Sequence, residues 1–178
     1  MFCVGQYIVY GNSGICRVEA VGTPGFMKNS PKEYYTLRPF YTTNNTRIYV
    51  PVNTSVYMRS TITRDEALQY LDYLKNMEVK VFRAPKQNLL AEHYRELIDQ
   101  QDISGYLRLF KEVCYKEKLA KNSGKKLGQV DLHFYKLAER ILSEEFSIVL
   151  QETLDCSKKR LYDAAASVRC PDSVKSEN

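Results

Sequence analysis

Residues 4–21, VGQYIVYGNSGICRVEAV, constrain the fold more than any other part of this chain. Two runs of β-branched and aromatic residues, at 7–10 and 15–18, flank the segment Gly-Asn-Ser-Gly. Such a segment tolerates the positive φ angles that a short hairpin loop requires. We therefore predict that the chain begins with a β-hairpin on which further strands assemble.

Three further strands are predicted before residue 63, separated by short polar segments that contain Gly, Pro, Asn and Ser. The strands are expected at residues 33–38, 47–52 and 58–62, and the turns at residues 22–25, 28–31 and 44–45. Five short strands within about 60 residues indicate a strongly bent sheet or small barrel of the SH3 or Tudor type.

The hydrophobic pattern changes from alternation to helical spacing at Thr63. Thr63 and Glu66 have the spacing of a capping box, in which each side chain accepts a hydrogen bond from the other residue's backbone amide. A helix over residues 63–76 is therefore expected to link the sheet to the rest of the chain. Its apolar face is expected to consist of Leu68, Leu71 and Leu74.

Apolar residues then recur at three- and four-residue steps, which predicts a bundle of helices. One helix is expected over residues 88–101. A second begins after an N-cap at Asp102 and stops at residues 122–124. A long final helix follows, which either continues through Leu161 or breaks near Ser157.

The predicted fold class is therefore α+β, and a chain of 178 residues with 44% hydrophobic residues can bury one large or two small cores. The expected domains are a five-stranded Tudor/SH3-like β module at residues 1–62, an all-α helical bundle at 63–163 with its linking helix at 63–76, and a disordered tail at 164–178.

Composition predicts a cytoplasmic protein with no membrane partner. The sequence has no apolar run of 18 residues, and its start, MFCVGQYIVY, lacks the pattern of a signal peptide. The five cysteines form no C-x-x-C pair, so we expect free thiols in a reducing compartment.

Motifs of enzymatic chemistry are missing: the sequence has no phosphate-binding glycine loop, no H-E-x-x-H and no nucleophile elbow. Cys114 and His133 could form a thiol–imidazole pair, but Cys114 falls on the apolar stripe of its helix, where a cysteine usually belongs to the core. We therefore predict that the chain is not an enzyme and uses no metal, cofactor or small-molecule substrate.

Positive charge is in excess in two stretches, both of which are candidate surfaces for an acidic partner. Residues 1–63 carry six Lys or Arg against two Glu. Residues 104–128 carry seven Lys or Arg against Glu112 and Glu117, although the net charge of the whole chain is only +5. Lys125 and Lys126 also precede a predicted helix N-terminus, whose free amides favour a phosphate. From charge alone, two interpretations of this basic stretch stay open. It either contacts a phosphate backbone or is an ordinary solvated helix face.

The tyrosines of the β module also allow two interpretations. They could form an aromatic cage for a methylated ligand, but their alternation along the strands favours core and cross-strand packing. These residues are Tyr7, Tyr10, Tyr34, Tyr35, Tyr41 and Tyr49.

Several segments, taken in order, resemble a known family. The β module contains F-x-V-G-x-x-I-V-Y at residues 2–10, G-I-x-x-V-E-A-V at 14–21, E-Y-Y-x-L at 33–37 and I-Y-V-P-V at 48–52. The helical half adds D-I-x-x-Y at 102–106 and A-E-R-I-L-x-x-E at 138–145. In this order and spacing the segments resemble the CarD/CdnL family of bacterial transcription regulators over about residues 1–155.

The resemblance implies a Tudor-like domain that docks on the β subunit of RNA polymerase by β-strand addition. It also implies a helical domain that touches the phosphate backbone of promoter DNA at the upstream edge of the transcription bubble. The expected function is that of a nucleoid-associated regulator that changes the stability of the open complex. Carried over by position, the polymerase contact is expected at Phe26, Arg47, Ile48 and Tyr49.

Two departures from the family pattern bear on mechanism. The usual Y-P-x-H-G turn is Y-G-N-S-G at residues 10–14, and the chain has no tryptophan, the residue that the family inserts at the bubble edge. By spacing from Tyr94, that position falls at Leu89 or Leu90, where a leucine could serve as an apolar wedge. Leu90 also fits the core face of its helix. The residues expected to contact DNA are Leu89, Leu90, His93, Arg95, Arg108, Lys111, Lys118, Lys121, Lys125 and Lys126.

Two other functions stay open from the sequence. The chain could be an adaptor that occupies the polymerase site without touching DNA, or a Tudor- or KOW-like module that binds RNA or the ribosome. Salt-dependent binding to a promoter fragment would separate the regulator from the adaptor.

Overall fold

The computed structural model describes residues 1–27, 32–42, 45–99 and 102–167. An antiparallel five-stranded sheet is followed by five α-helices. The predicted fold class, α+β with a Tudor-like N-terminal module, is confirmed.

The strands form in the predicted places. They are β1 Tyr7–Tyr10, β2 Ile15–Gly22, β3 Tyr34–Pro39, β4 Ile48–Pro51 and β5 Met58–Ser60, and their order across the sheet is β4-β3-β2-β1-β5. β2 is longer than expected, and β5 ends before Ile62. The predicted loop at 28–31 and the first residue of the turn at 44–45 lie outside the described residues.

One face of the sheet forms the core of the β module, because strand residues alternate between the two faces. Ile8, Val18, Leu37 and Val50 are buried there, and Tyr35 packs its ring against Phe2 with centroids 5.8 Å apart. The register of β2 against β3 shifts between Val18 and Ala20, which makes Glu19 the extra residue of a β-bulge.

The helices follow the sheet without a further strand in the described part of the chain. They are α1 Arg64–Asn76, α2 Gln87–Asp99, α3 Ile103–Asn122, α4 Gln129–Leu150 and α5 Leu154–Ala166. The capping box at the start of α1 is confirmed, because Thr63 Oγ1 accepts from the amide of Glu66 while Glu66 accepts from the amide of Thr63. Asp102 occupies the N-cap position of α3, but its carboxylate accepts from the hydroxyl of Ser104.

Two expectations for the helices were wrong, and one that was left open is decided. Ala67, not Leu68, is buried beside Leu74 in α1. Of the two alternatives for the final helix, the break near Ser157 is confirmed, because Gln151 adopts a left-handed conformation (φ 56°) and Thr153 caps α5. The tail cannot start at 164, since α5 continues to Ala166, and residues 168–178 lie outside the described residues.

The helices share one core. Tyr94 of α2, Phe110 of α3 and Phe146 of α4 are buried in it, and the rings of Phe110 and Tyr135 stack with centroids 5.4 Å apart. No helix of the described residues is long and apolar enough to cross a membrane.

Buried carboxylates of α4 join the two modules. Glu145 is 0% exposed and accepts from both terminal nitrogens of Arg59 in β5, at 2.5 and 2.7 Å, and from the amide of Ile62 at 3.0 Å. Its neighbour Glu144 accepts from the amide of Ile15 in β2 at 3.3 Å, and burial raises the pKa of the Glu144 carboxyl.

Further polar contacts extend this junction. Arg140 of α4 donates to the backbone oxygen of Asn12 at 2.6 Å, and the hydroxyls of Tyr41 and Ser147 are hydrogen-bonded. The hairpin and β5 both contact α4, so the two modules pack against each other. The division into two domains at residue 63 stays a prediction.

We expect Glu145→Gln to lower the free energy of unfolding by about 3 kcal/mol, because it leaves the Arg59 guanidinium partly buried without its counter-charge. Urea denaturation measures this loss. Glu117→Gln is the matched control, since Glu117 forms an exposed pair with Lys121 that contributes at most about 0.5 kcal/mol. Equal losses in both variants would contradict a structural role for the buried pair.

Candidate functional site

The residues predicted to bind RNA polymerase lie at one edge of the sheet. Within the described residues β4 pairs only with β3, so its other side is open. At the opposite edge, β5 is held next to α4 through Arg59. Among the residues that the structure describes, the sheet therefore offers one free edge strand, β4.

The hydrogen-bond pattern shows which backbone groups face outward. Val52 donates its amide to Glu33 at 2.9 Å, so the alternation of an antiparallel ladder also directs Val50 and Ile48 toward β3. The N–H and C=O of Tyr49 therefore point away from the sheet. Pro51, the next outward residue, has no N–H, which limits how far a partner strand can pair along β4.

An exposed pair of aromatic rings stands beside this edge. Phe26 is 65% exposed and Tyr49 is 37% exposed, and their rings meet edge to face with centroids 4.8 Å apart. Both rings line a groove of about 360 Å³ that also includes Thr36 and Arg47. Exposed aromatic side chains next to free backbone donors are typical of a protein-binding surface.

The other two predicted residues play different parts. Arg47 donates to Glu19 at 2.8 Å, and this hydrogen bond holds the pKa of the Glu19 carboxyl below its usual value. Arg47 is therefore neutralised within the edge and offers no free charge to an acidic partner. Ile48 is half-buried and packs against the core of the sheet, so its side chain does not face a partner.

The predicted DNA-binding residues do not form one surface. Leu89 is 43% exposed, whereas Leu90 packs against the helical core, so Leu89 is the more accessible candidate for the wedge position. The exposed cations among the predicted residues are Arg95, Arg108, Lys118, Lys121, Lys125 and Lys126. Of these, Lys121 is paired with Glu117 at 2.9 Å.

Lys111 was predicted to contact DNA, and the structure contradicts this. The residue is 1% exposed, and its ammonium donates to the backbone oxygens of Leu74, Lys75 and Ser167 at 2.5, 3.1 and 3.2 Å. These carbonyls belong to the ends of α1 and α5, which lack helical donors of their own. Burial lowers the pKa of Lys111, which holds two helix ends together and is not available to a phosphate.

His93 is also engaged inside the protein. Its Nε2 lies 3.0 Å from Oε2 of the buried Glu112, and its ring stacks on Phe82 with centroids 4.3 Å apart. Glu112 in addition accepts from the amide of Phe82 at 3.0 Å and pairs with Lys116 at 2.9 Å. His93 therefore helps to fix the chain near Phe82.

The start of α4 already has a carboxylate beside it. Asp131, in the first turn of α4, accepts from the hydroxyl of Tyr94 at 2.6 Å and from Lys116 at 3.3 Å. A phosphate held by Lys125 and Lys126 at this helix end would lie near that negative charge, which weakens the predicted phosphate site there.

One basic segment, residues 80–86, was not among the sites predicted from the sequence. Lys80, Arg83 and Lys86 are exposed, and the segment KVFRAPK contains no acidic residue. The signal was present as three cations in seven residues, but it lies outside both basic stretches considered from the sequence.

The enzymatic and cage alternatives gain no support from these positions. Cys114 is largely buried, which raises the pKa of its thiol to about 12, and His133 is exposed on α4. Tyr35 is buried in the sheet core, while Tyr7 and Tyr41 make edge contacts with Phe40.

A small sheet with one free, aromatic-lined edge has the form of a protein-interaction domain. Residues 2–62 match the family model of the CarD-like/TRCF RID domain, so this part of the chain is similar to that domain family. The match indicates an RNA-polymerase-interacting, transcription-associated protein whose matched domain serves interaction and not catalysis. No curated protein matches the chain in a sequence search.

We expect Lys111→Met to lower the free energy of unfolding by about 2 kcal/mol, because one buried and two partly buried carbonyl contacts lose their donor. Thermal or urea unfolding measures the change. Lys118→Met, at an exposed position of the same helix, should change it by no more than about 0.5 kcal/mol. An unchanged stability of Lys111→Met would show that these contacts are dispensable.

Proposed function

We propose that this protein is a transcription regulator that binds the β subunit of RNA polymerase through β4 and promoter DNA through its helical module. The observation that carries the proposal is the free β4 edge within a CarD-like/TRCF RID domain. The regulator acts by changing the stability of the open promoter complex.

The polymerase contact follows from the backbone of β4. A strand of the β subunit adds to the sheet by pairing with the outward N–H and C=O of Tyr49. The Phe26–Tyr49 rings supply apolar contact area next to this hydrogen bonding, and such aromatic pairs are frequent anchors of interfaces. Pro51 and the short length of β4 keep the contact local and limit unwanted pairing with other sheet edges.

The DNA contact rests on the exposed cations of the helical module and on Leu89. Contacts from Lys and Arg to phosphate position the protein without reading sequence. Leu89 offers an accessible apolar side chain that suits an unstacked base step at the edge of melted DNA. Binding that favours melted over closed DNA shifts the equilibrium toward the open complex, about tenfold for each 1.4 kcal/mol of differential affinity.

We expect Tyr49→Pro to weaken capture of RNA polymerase much more than Tyr49→Ala does. Both substitutions remove the ring, but only proline removes the outward N–H, and the ladder bonds of β4 to β3 involve Val50 and Val52 and stay intact. A quantitative pull-down of RNA polymerase measures the difference.

Circular dichroism and thermal unfolding of both variants control for loss of the sheet. If the two folded variants capture polymerase equally well, backbone pairing at Tyr49 is not part of the contact. If both bind as well as the unchanged protein, the β4 edge is not the docking surface.

An adaptor that binds polymerase without touching DNA is the second candidate. Several of the seven cations in residues 104–128 are neutralised, which favours the adaptor. Lys111 and Lys116 are engaged inside the protein, and Lys121 is paired with Glu117.

A salt titration of binding to a forked promoter fragment distinguishes the two candidates. For the regulator we expect the logarithm of affinity to fall with the logarithm of salt concentration by about 0.9 for each neutralised phosphate. Fluorescence anisotropy of labelled DNA measures the slope. Absent or salt-independent binding would leave the adaptor.

A further inference from the structure

A basic segment, residues 80–86, connects α1 to α2 without regular secondary structure. Lys80, Arg83 and Lys86 are exposed and take part in no ion pair within the described residues. Pro85 prevents α2 from extending backward into the segment. The three positive charges are therefore displayed on a non-helical stretch of the surface.

The segment is nevertheless anchored at its centre. The amide of Phe82 donates to Glu112 Oε1 at 3.0 Å, and the Phe82 ring lies nearly parallel to the imidazole of His93, with an angle of 17° between the ring planes. His93 in turn contacts the second oxygen of Glu112 at 3.0 Å. One buried carboxylate of α3 thus holds both the segment and the helix that follows it.

This anchoring has an energetic consequence. Ordering a free loop at the moment of binding costs conformational entropy for every residue that becomes fixed. A segment whose middle residue is already fixed by a hydrogen bond and a ring stack avoids part of that cost, so its charges contribute more fully to binding.

The charge of the segment continues onto α3. Lys80 and Arg108 line one cleft of about 500 Å³, which Tyr73 and Met77 also line. Glu78 is the exposed acidic residue of that cleft, and Glu112 at its base is already matched by Lys116. Leu89, three residues beyond Lys86, provides an exposed apolar side chain beside the cations.

We propose that residues 80–86 form a DNA-contacting segment in which Lys80, Arg83 and Lys86 bind the phosphate backbone, and that Glu112, His93 and Phe82 are positioning residues. This rests on the proposed function. Unpaired cations next to an exposed leucine suit the backbone and base step of partly melted DNA better than they suit an acidic peptide, which offers no flat apolar step.

The charges are tested with Lys80→Gln, Arg83→Gln and Lys86→Gln in the full chain on the forked promoter fragment. Each substitution should lower the salt slope by about 0.9, which corresponds to binding about eightfold weaker at 0.1 M salt. Lys136→Gln, on the exposed face of α4, is the matched control and should leave the slope unchanged.

The positioning role is tested with Phe82→Ala and Phe82→Tyr. Phe82→Ala removes the ring stack but keeps every charge. Affinity for the DNA fragment should therefore fall about tenfold while the salt slope stays the same. Phe82→Tyr keeps the ring and should bind as the unchanged protein does. Hydrogen exchange should show faster exchange of the segment amides in Phe82→Ala alone. Unchanged affinity in Phe82→Ala would overturn the positioning role.

The remaining outcomes separate this inference from the proposed function. If the unchanged protein binds DNA with a salt slope but the three charge variants behave like Lys136→Gln, the segment assignment is wrong and the proposed function stands. If the unchanged protein shows no salt-dependent binding, both fail. If the charge variants weaken capture of polymerase in the absence of DNA, the segment meets an acidic protein surface and the inference is overturned.

Discussion

The buried pair of Arg59 and Glu145 determines how the sheet is placed against the helical module. A carboxylate with no exposed surface requires full compensation, and Glu145 obtains it from a bidentate guanidinium and from the amide of Ile62. Since Arg59 lies in β5, the pair brings one edge of the sheet to the helical module. The opposite edge, β4, has no further strand beside it in the described part of the chain, so the contact that joins the modules also decides which strand can receive a partner.

The helical module uses buried charge in the same way. Lys111 holds the ends of α1 and α5, and Glu112 holds the segment around Phe82 together with α2. A buried ammonium or carboxylate is costly unless all its hydrogen-bond partners are in place. These two groups therefore favour one packing of the helices over others. Positive charge in the sequence therefore divides into structural cations inside the bundle and free cations on its surface, and only the free cations are available to a polyanion.

Local patterns in the sequence predicted most of the fold. The strand alternation around residues 7–18, the capping box at Thr63 and the apolar stripe of α3 are short-range signals, and each formed as expected. The candidate site was harder to predict because its chemistry depends on distant residues. Arg59 meets Glu145 across 86 positions, and Lys111 meets Ser167 across 56, so no periodicity could show that these charges are engaged. Lys111 has the spacing of a polar-face lysine, and only tertiary packing buries it.

The junction between the modules also bears on how tightly a two-site ligand could be held. Contacts at Asn12, Ile15, Arg59 and Tyr41 all reach α4, so the sheet that carries β4 and the helices that carry the exposed cations are held in a defined arrangement. When one of two such faces is occupied, the second encounters its target at a high effective concentration, without the loss that a long flexible tether brings. Two contacts that are each weak would in this way add up to a bivalent attachment.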